Sequence, residues 1–214
     1  AVVADDGDTM RLGELSPGCI ACKAGQWDCI FVTMRCNLSC AFCLGPHVAA
    51  DVPPHSALGD DPAVLAERYA RAHVTGASFS GGEPFLEPEA VVAWTRELRA
   101  AVPGLYLWAY TNGALVTTAL LERLADAGLD ELRFNVAATG YADDHVDLIL
   151  AEAARRLSAV TVEVPTIPAD REVILGSLGR WAERGVRYLN LHELVYEDGT
   201  NSGTLPGERA PVVM

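Results

Sequence analysis

The sequence has few positive charges and no long apolar run. Its 214 residues carry 16 Lys and Arg against 29 Asp and Glu, which gives a formal net charge of −13. That charge repels phosphate backbones and anionic membrane surfaces, and no local basic patch offsets it. No stretch of 18 apolar residues occurs, and the first 25 residues lack the basic start and apolar core of a secretory signal. We therefore expect a cytoplasmic protein with neither a nucleic-acid nor a membrane partner.

Cysteine is also scarce, and half of it is concentrated in one place. Of the six cysteines, Cys36, Cys40 and Cys43 fall within eight residues, in "CNLSCAFC". In a reducing compartment such spacing favours metal ligands or reactive thiols over disulfides. Thiolates on a tight loop suit zinc or an iron–sulfur cluster. Structural zinc normally takes four protein ligands, so a trio indicates a centre with one open coordination position. These residues alone leave both metals open.

Beta-rich segments alternate with amphipathic helical segments along most of the chain, and half of all residues are hydrophobic, enough for one sizeable core. Strict alternation implies parallel strands with right-handed crossovers, in an open doubly wound sheet or a barrel. The five predicted helices cover residues 62–73, 88–102, 118–128, 143–157 and 170–185. The six predicted strands are Cys29–Thr33, Ala77–Ser80, Leu105–Thr111, Glu131–Val136, Val160–Val164 and Arg187–Leu191.

Three of the predicted strands carry polar residues on one face. The pairs are Arg133 with Asn135, Thr161 with Glu163, and Asn190 with His192. Strands of a doubly wound sheet are apolar on both faces, so this pattern favours a barrel with a polar lumen. Such a lumen would hold a ligand at the carboxyl ends of the strands, and an internal ion pair between Arg133 and Glu163 is compatible with that ligand.

Two motifs follow the first two predicted strands. After the first strand, the cysteine trio has the form C-x3-C-x-aromatic-C, with Phe42 as the aromatic residue, and "GGEP" at residues 81–84 follows the second strand. In this order and placement the chain resembles the radical S-adenosylmethionine (SAM) superfamily. The resemblance implies an α/β fold, a partial (β/α)6 TIM-type barrel with parallel strands and the helices outside. The barrel would cover residues 29–196, after a cysteine-containing extension at 1–28.

The resemblance also implies roles for individual residues. The three clustered cysteines would hold a [4Fe–4S] cluster whose fourth iron chelates SAM. Phe42 would lie near the adenine, and Asn135 would contact the ribose. The methionyl amino group would be contacted by the backbone of Gly81 and Gly82 and by the Glu83 carboxylate. Further positions of the SAM site would be Pro84 and Asn112, the latter in "YTNG".

The chemistry implied by the resemblance is homolysis of SAM after one-electron reduction of the cluster by an external flavodoxin or ferredoxin. The resulting 5′-deoxyadenosyl radical would take hydrogen from a small-molecule substrate. The sequence has 15 arginines and one lysine. We associate this bias with high-GC bacteria, in which many such enzymes act in secondary metabolism. Substrate-side candidates are Glu163, His192 and Glu193.

Two alternatives remain open. The stretches "GCIACKAGQWDCIFVTMRCNLSC" and "LNLHELVYEDGTNS" resemble a group related to pyruvate formate-lyase activating enzymes, which would make the partner a protein that receives a glycyl radical. The other alternative is a non-catalytic iron–sulfur or zinc scaffold. Residues 197–214 are rich in Gly and Pro, so either this tail is irregular or the natural chain continues.

A second set of cysteines, Cys19, Cys22 and Cys29, precedes the first set. Its C-x2-C-x6-C spacing and the segment "CIACKAG" suggest a turn like that of a zinc knuckle. Cys29 opens the first strand and Cys36 follows its end, so the two lie up to about 23 Å apart at ~3.3 Å per residue. We therefore expect these three cysteines near the lower end of the barrel, where they bind no iron and serve packing or at most zinc.

Overall fold

The computed structural model describes residues 2–5, 9–43 and 62–195. Its amino-terminal part is an antiparallel hairpin of β1 (Val2–Asp5) and β2 (Thr9–Leu12), followed by helix α1 (Pro17–Lys23). Ser16 caps this helix, since its side chain accepts a hydrogen bond from Cys19 N at 3.2 Å, and proline occupies the first helical position. The interpretation of "CIACKAG" as a knuckle-like turn was therefore wrong, because its first residues are helical.

The rest of the described chain alternates strictly between strands and helices, as the sequence predicted. The six strands lie in one parallel sheet in chain order, and β3 and β8 form its edges, so the barrel is partial. The elements are β3 (Trp27–Thr33), α2 (Pro62–Ala72), β4 (Gly76–Gly81), α3 (Pro88–Ala101), β5 (Tyr106–Thr111), α4 (Thr118–Ala127), β6 (Glu131–Phe134), α5 (Asp144–Arg156), β7 (Ala159–Pro165), α6 (Arg171–Glu183) and β8 (Tyr188–His192).

Short 3-10 turns at Pro84–Leu86, Val136–Thr139 and Pro168–Asp170 follow three of the strands. The second of them makes β6 shorter than predicted, because the chain leaves the sheet after Phe134. None of the helices in the described part of the chain combines the length and the apolar character needed to cross a membrane.

The two faces of the sheet differ in the way the strand alternation predicts. The face toward the helices is apolar and buried, with Leu107, Leu132 and Val162 fully enclosed. The inner face carries the polar residues, and Arg133 Nη1 donates to Glu163 Oε2 at 3.1 Å. The predicted internal ion pair between these neighbouring strands is therefore confirmed.

Helix α1 packs inside the barrel, at the amino-terminal ends of the strands. A Cβ built on Gly76, the first residue of β4, would lie 3.0 Å from the Ala21 methyl. On the same side Ser16 is 1% exposed, and its hydroxyl accepts from Arg133 Nη2 at 3.0 Å. The amino-terminal segment therefore closes the lower end of the lumen.

Gly18 permits this close packing, and replacing it provides a test. A Cβ at Gly18 would lie 2.5 Å from Arg133 Nη2 and 3.2 Å from the Trp108 ring, whereas a Cβ at Gly176 in α6 would meet no atom within 4 Å. We predict that Gly18→Ala lowers the free energy of unfolding by about 1–3 kcal/mol through overpacking. The matched control Gly176→Ala should raise it by about 0.5–1 kcal/mol. Urea unfolding measures both, and equal effects would contradict the packing of α1 in the lumen.

Candidate active site

The two glycines of "GGEP" bring the end of β4 against the segment that leads into the cysteine loop. Gly82 N donates to Thr33 O and Glu83 N donates to Arg35 O, both at 2.8 Å. A Cβ on Gly81, whose φ is +129°, would lie 2.0 Å from Thr33 O, and one on Gly82 would lie 2.1 Å from Arg35 O. Only glycine allows this approach at both positions. The pair therefore fixes the start of the cysteine loop on the neighbouring strand.

Glu83 joins the ends of β4 and β5 through its side chain. It is 1% exposed, and Oε1 accepts from Phe85 N at 3.1 Å and from Thr111 Oγ1 at 2.9 Å. Oε2 accepts from Asn112 N at 2.8 Å. Burial raises the pKa of this carboxyl group, although the three hydrogen bonds act in the opposite direction. A carboxylate offers about four acceptor positions, so one remains after these bonds.

Asn112 connects "YTNG" to the cysteine loop. Its Nδ2 donates to Asn37 Oδ1 at 2.8 Å, and its Oδ1 accepts from Ala114 N at 2.9 Å. Asn37 directly follows Cys36. The cysteine loop, "GGEP" and "YTNG" thus meet at the carboxyl ends of β3, β4 and β5, where such barrels hold their ligands.

The cysteine loop offers three soft donors on the surface of this end. Cys36 is exposed, while Cys40 and Cys43 are half-buried and joined by a bond from Cys43 N to Cys40 O of 3.1 Å. Burial raises the pKa of the Cys40 thiol to about 11, and the adjacent Cys36 and Cys43 act in the same direction. Three thiolates this close require a cationic centre between them, which an iron–sulfur cluster provides.

The chemistry of these donors therefore fits the cluster that the sequence resemblance implies. Within residues 9–43 and 62–195, no three His, Cys, Asp or Glu side chains are already arranged around one metal ion. The fit consequently rests on donor type, spacing and mutual proximity.

Three further residues expected at a SAM site lie near this end. Asn135 follows β6, and its backbone N donates to Thr111 O at 2.8 Å. Its Oδ1 is buried and has no hydrogen-bond partner among the described residues, which leaves an acceptor for a ligand. Phe42 is half-buried beside Cys43, and Pro84 is buried at the start of its 3-10 turn.

The substrate-side candidates occupy two different places. Glu163 lies in the lumen, where Oε2 also accepts from Asn190 Nδ2 at 2.7 Å. His192 ends β8 and Glu193 follows it, and both are exposed. Only Glu163 is therefore integrated into the polar lumen.

The sequence analysis missed that Cys19 faces the lumen. Asn190 Nδ2 lies 3.4 Å from Cys19 Sγ, so this thiol reaches beyond the lower end to the level of Glu163. The available signal was Ser16 followed by Pro17, which is a typical helix start.

The close approach at Gly82 generates a prediction that does not depend on turnover. Gly82→Ala forces the backbone away from Arg35 and weakens two hydrogen bonds, so we expect a loss of about 1–3 kcal/mol in unfolding free energy. Gly104→Ala is the control, because a Cβ there meets nothing within 4 Å. Urea unfolding of the two variants should separate them clearly. A Gly82→Ala protein as stable as its control would refute the steric role.

The chain is similar in sequence to several known proteins. A GTP 3′,8-cyclase of Lactiplantibacillus plantarum is 33% identical over 106 residues, which are 49% of this chain and 31% of the cyclase. A Methanocaldococcus jannaschii protein, provisionally named a glycyl-radical enzyme activating enzyme, is 23% identical over 194 residues, 86% of this chain and 52% of that protein. The chain thus spans about half or less of the length of these relatives.

Solved structures show the same fold. SuiB of Streptococcus suis bound to S-adenosylmethionine superposes with a TM-score of 0.64 at 17% identity, over 86% of this chain and 44% of SuiB. The Radical SAM superfamily pattern matches residues 30–190, from β3 into β8. Members of that superfamily are enzymes that use SAM, a [4Fe–4S] cluster and a one-electron reductant. With most of its length matched by the family pattern, this chain belongs to the radical SAM superfamily.

Proposed function

We propose that this enzyme cleaves SAM reductively and uses the product to abstract hydrogen from a small polar molecule bound in the barrel lumen. The observation that carries the proposal is the meeting of the cysteine loop, "GGEP" and "YTNG" at one end of the barrel. Hydrogen bonds of 2.8 Å hold the three motifs together. Residues 29–196 form the catalytic core in this proposal.

Cys36, Cys40 and Cys43 hold the [4Fe–4S] cluster and leave its fourth iron to SAM. When bound, the cluster and SAM together supply a 5′-deoxyadenosyl radical. Three protein ligands rather than four suit this task, because a closed metal site has no position for a substrate. A flavodoxin or ferredoxin supplies the electron at the exposed side of the loop, where Cys36 lies.

The residues around the cysteine loop bind and orient SAM. Glu83 uses its remaining acceptor position for the methionyl ammonium, with the adjacent backbone of Gly81 and Gly82 forming the same subsite. Asn135 would offer its Oδ1 to the ribose, and Phe42 would lie near the adenine.

The lower half of the barrel excludes water from the site. A carbon radical reacts with any C–H bond it meets, so the site must fix one hydrogen near it and exclude solvent. Helix α1 closes the lumen from below, and the lumen side chains directly above it are fully buried. Substrate and SAM must therefore enter from the carboxyl end of the strands.

A protein or peptide substrate is the second candidate. The similarity to the provisionally named glycyl-radical activating enzyme covers 86% of this chain, and SuiB has also been solved with its precursor peptide SuiA, at a TM-score of 0.62. Anaerobic incubation with SAM, a reductant and deuterated candidate substrates separates the two. Deuterium in 5′-deoxyadenosine from a metabolite supports the first candidate, and transfer only from a protein supports the second. The scaffold alternative is not supported, because the superfamily consists of enzymes.

Replacement of the cluster ligands tests the metal assignment. We expect Cys36→Ala, Cys40→Ala and Cys43→Ala each to lose bound iron and SAM cleavage, because two thiolates cannot hold the cubane. Cys22→Ala, on the exposed face of α1, is the matched control. Iron analysis and 5′-deoxyadenosine production are the measurements. Retained cleavage in any of the three ligand variants would refute the assignment.

Glu83→Gln tests the ammonium contact. We expect SAM affinity to fall by the value of one charge-assisted hydrogen bond, about 1.5–3 kcal/mol, with iron content unchanged. Binding of SAM to the reconstituted, unreduced protein is measured by equilibrium dialysis. Glu97→Gln, on the exposed surface of α3, serves as the control. Equal SAM affinity in the two variants would exclude a role for the Glu83 charge.

Iron stoichiometry tests the other three cysteines. One [4Fe–4S] cluster per chain gives about four irons, and we expect Cys19, Cys22 and Cys29 to add none. A reproducible count near eight, falling to four in the Cys19→Ala/Cys22→Ala variant, would contradict this expectation and indicate a second cluster.

A further inference from the structure

The buried and partly exposed side chains on the inner face of the barrel form two layers. Those of the lower layer are sealed from below by α1, with exposures of 0–3%. Those of the upper layer are partly exposed and line the space below the carboxyl ends of the strands. The lower layer consists of Ser78, Trp108, Glu131, Arg133 and Thr161, and the upper layer of Phe31, Ser80, Tyr110, Glu163 and Asn190.

Arg133 is the one lysine or arginine on the inner face of the described strands, and each of its three guanidinium nitrogens donates a hydrogen bond. Nε donates to Glu131 Oε1 at 2.8 Å, Nη1 to Glu163 and Nη2 to Ser16. Its flat faces are covered as well, since the guanidinium carbon lies 4.9 Å from the centre of the Trp108 ring. With 3% exposure, this guanidinium is closed off from a ligand phosphate or carboxylate, and the inner face of the described strands has no other Lys or Arg.

The accessible charge of the lumen is acidic instead. Two carboxylates, Glu131 and Glu163, face the single guanidinium, which leaves one negative charge in excess. Glu163 is the accessible member, with its side chain 19% exposed. The hydrogen bonds that described residues donate to Glu163 both fall on Oε2, so Oε1 remains as an acceptor.

Asn190 and Cys19 lie next to Glu163 in the lumen. The Asn190 amide is held between the Glu163 carboxylate at 2.7 Å and the Cys19 sulfur at 3.4 Å. Helix α1 thus contributes a thiol to the floor of the accessible space. We name Glu163, Asn190 and Cys19 the acceptor cradle.

We propose that the acceptor cradle binds an ammonium or guanidinium group of the substrate, and that anionic groups are excluded from it. The inference rests on the proposed function, since it places the substrate of that reaction in the lumen. A carboxylate in a partly desolvated cleft attracts a cation and forms short charge-assisted hydrogen bonds with it. The cradle therefore selects amine-bearing substrates over phosphorylated ones.

Cys19 allows a test that needs neither SAM nor the natural substrate. The reconstituted Cys22→Ala protein is treated with one of two thiol reagents, a cationic trimethylammonium-ethyl methanethiosulfonate or an anionic sulfonato-ethyl methanethiosulfonate. The rate at which each reagent modifies Cys19 is measured by peptide mass spectrometry. Clefts of one charge sign change local ion concentrations by about tenfold or more. We expect the cationic reagent to modify Cys19 at least about tenfold faster than the anionic reagent does, after each rate is divided by that reagent's rate with a free thiol in solution.

Variants of the cradle sharpen the test. Glu163→Gln should reduce the rate ratio to about twofold or less, and Asn190→Asp should increase it, because the two changes remove and add one negative charge. Glu122→Gln, on the outer surface in α4, is the matched control and should leave the ratio unchanged. A ratio near one in the parent protein, or one that neither cradle variant changes, would overturn the proposal.

Two unreactive probes complete the experiment. Nα-acetyl-lysine methylamide should slow modification of Cys19 by the uncharged reagent methyl methanethiosulfonate, and GTP should not. Protection by GTP without protection by the lysine derivative would also overturn the proposal. Production of 5′-deoxyadenosine by the parent protein is measured separately. Its absence refutes the proposed function, whereas the thiol measurements alone decide the cradle.

Discussion

Arg133 places a full positive charge inside the barrel, and much of the lower structure exists to accommodate it. Burial by itself would lower the pKa of this group, but Glu131 and Glu163 more than offset the effect, so its pKa is raised. An unpaired guanidinium at this depth would cost several kcal/mol. The partners come from three separate parts of the chain: β6, β7 and the cap of α1. Docking of α1 thus completes the hydrogen bonding that the buried guanidinium requires.

The upper end of the barrel depends on a steric constraint rather than on charge. Gly81 and Gly82 let two strand ends approach to hydrogen-bonding distance, and the segment fixed in this way leads directly to Cys36. Glu83 then extends the connection to β5. A loop that must hold three thiolates in one geometry gains its rigidity from these backbone contacts. The "GGEP" motif therefore positions the cysteine loop, in addition to any contacts that it makes with SAM.

Strand periodicity predicted the barrel because the alternation of polar and apolar residues is visible within each short strand. Alternating polar residues in 131–136 and 160–164 identified the lumen face, and the Arg133–Glu163 pair followed from the parallel order of the strands. Helix α1 was missed because its seven residues are too few for a periodic signal. The steric role of Gly82 could not be predicted either, since it depends on the distance to Arg35, 47 positions away in the sequence. Asn135 was assigned to the strand, but the chain leaves the sheet there and enters the 3-10 turn at Val136–Thr139.

The register of the strands places Glu163 near the residues proposed to contact SAM. Thr111 pairs with Phe134 and Phe134 pairs with Val162, so Glu163 lies one position beyond that row, as do Asn112 and Asn135. The acceptor cradle and the SAM motifs therefore belong to the same end of the sheet. A substrate cation bound as proposed would lie beside the SAM site rather than deep beneath it.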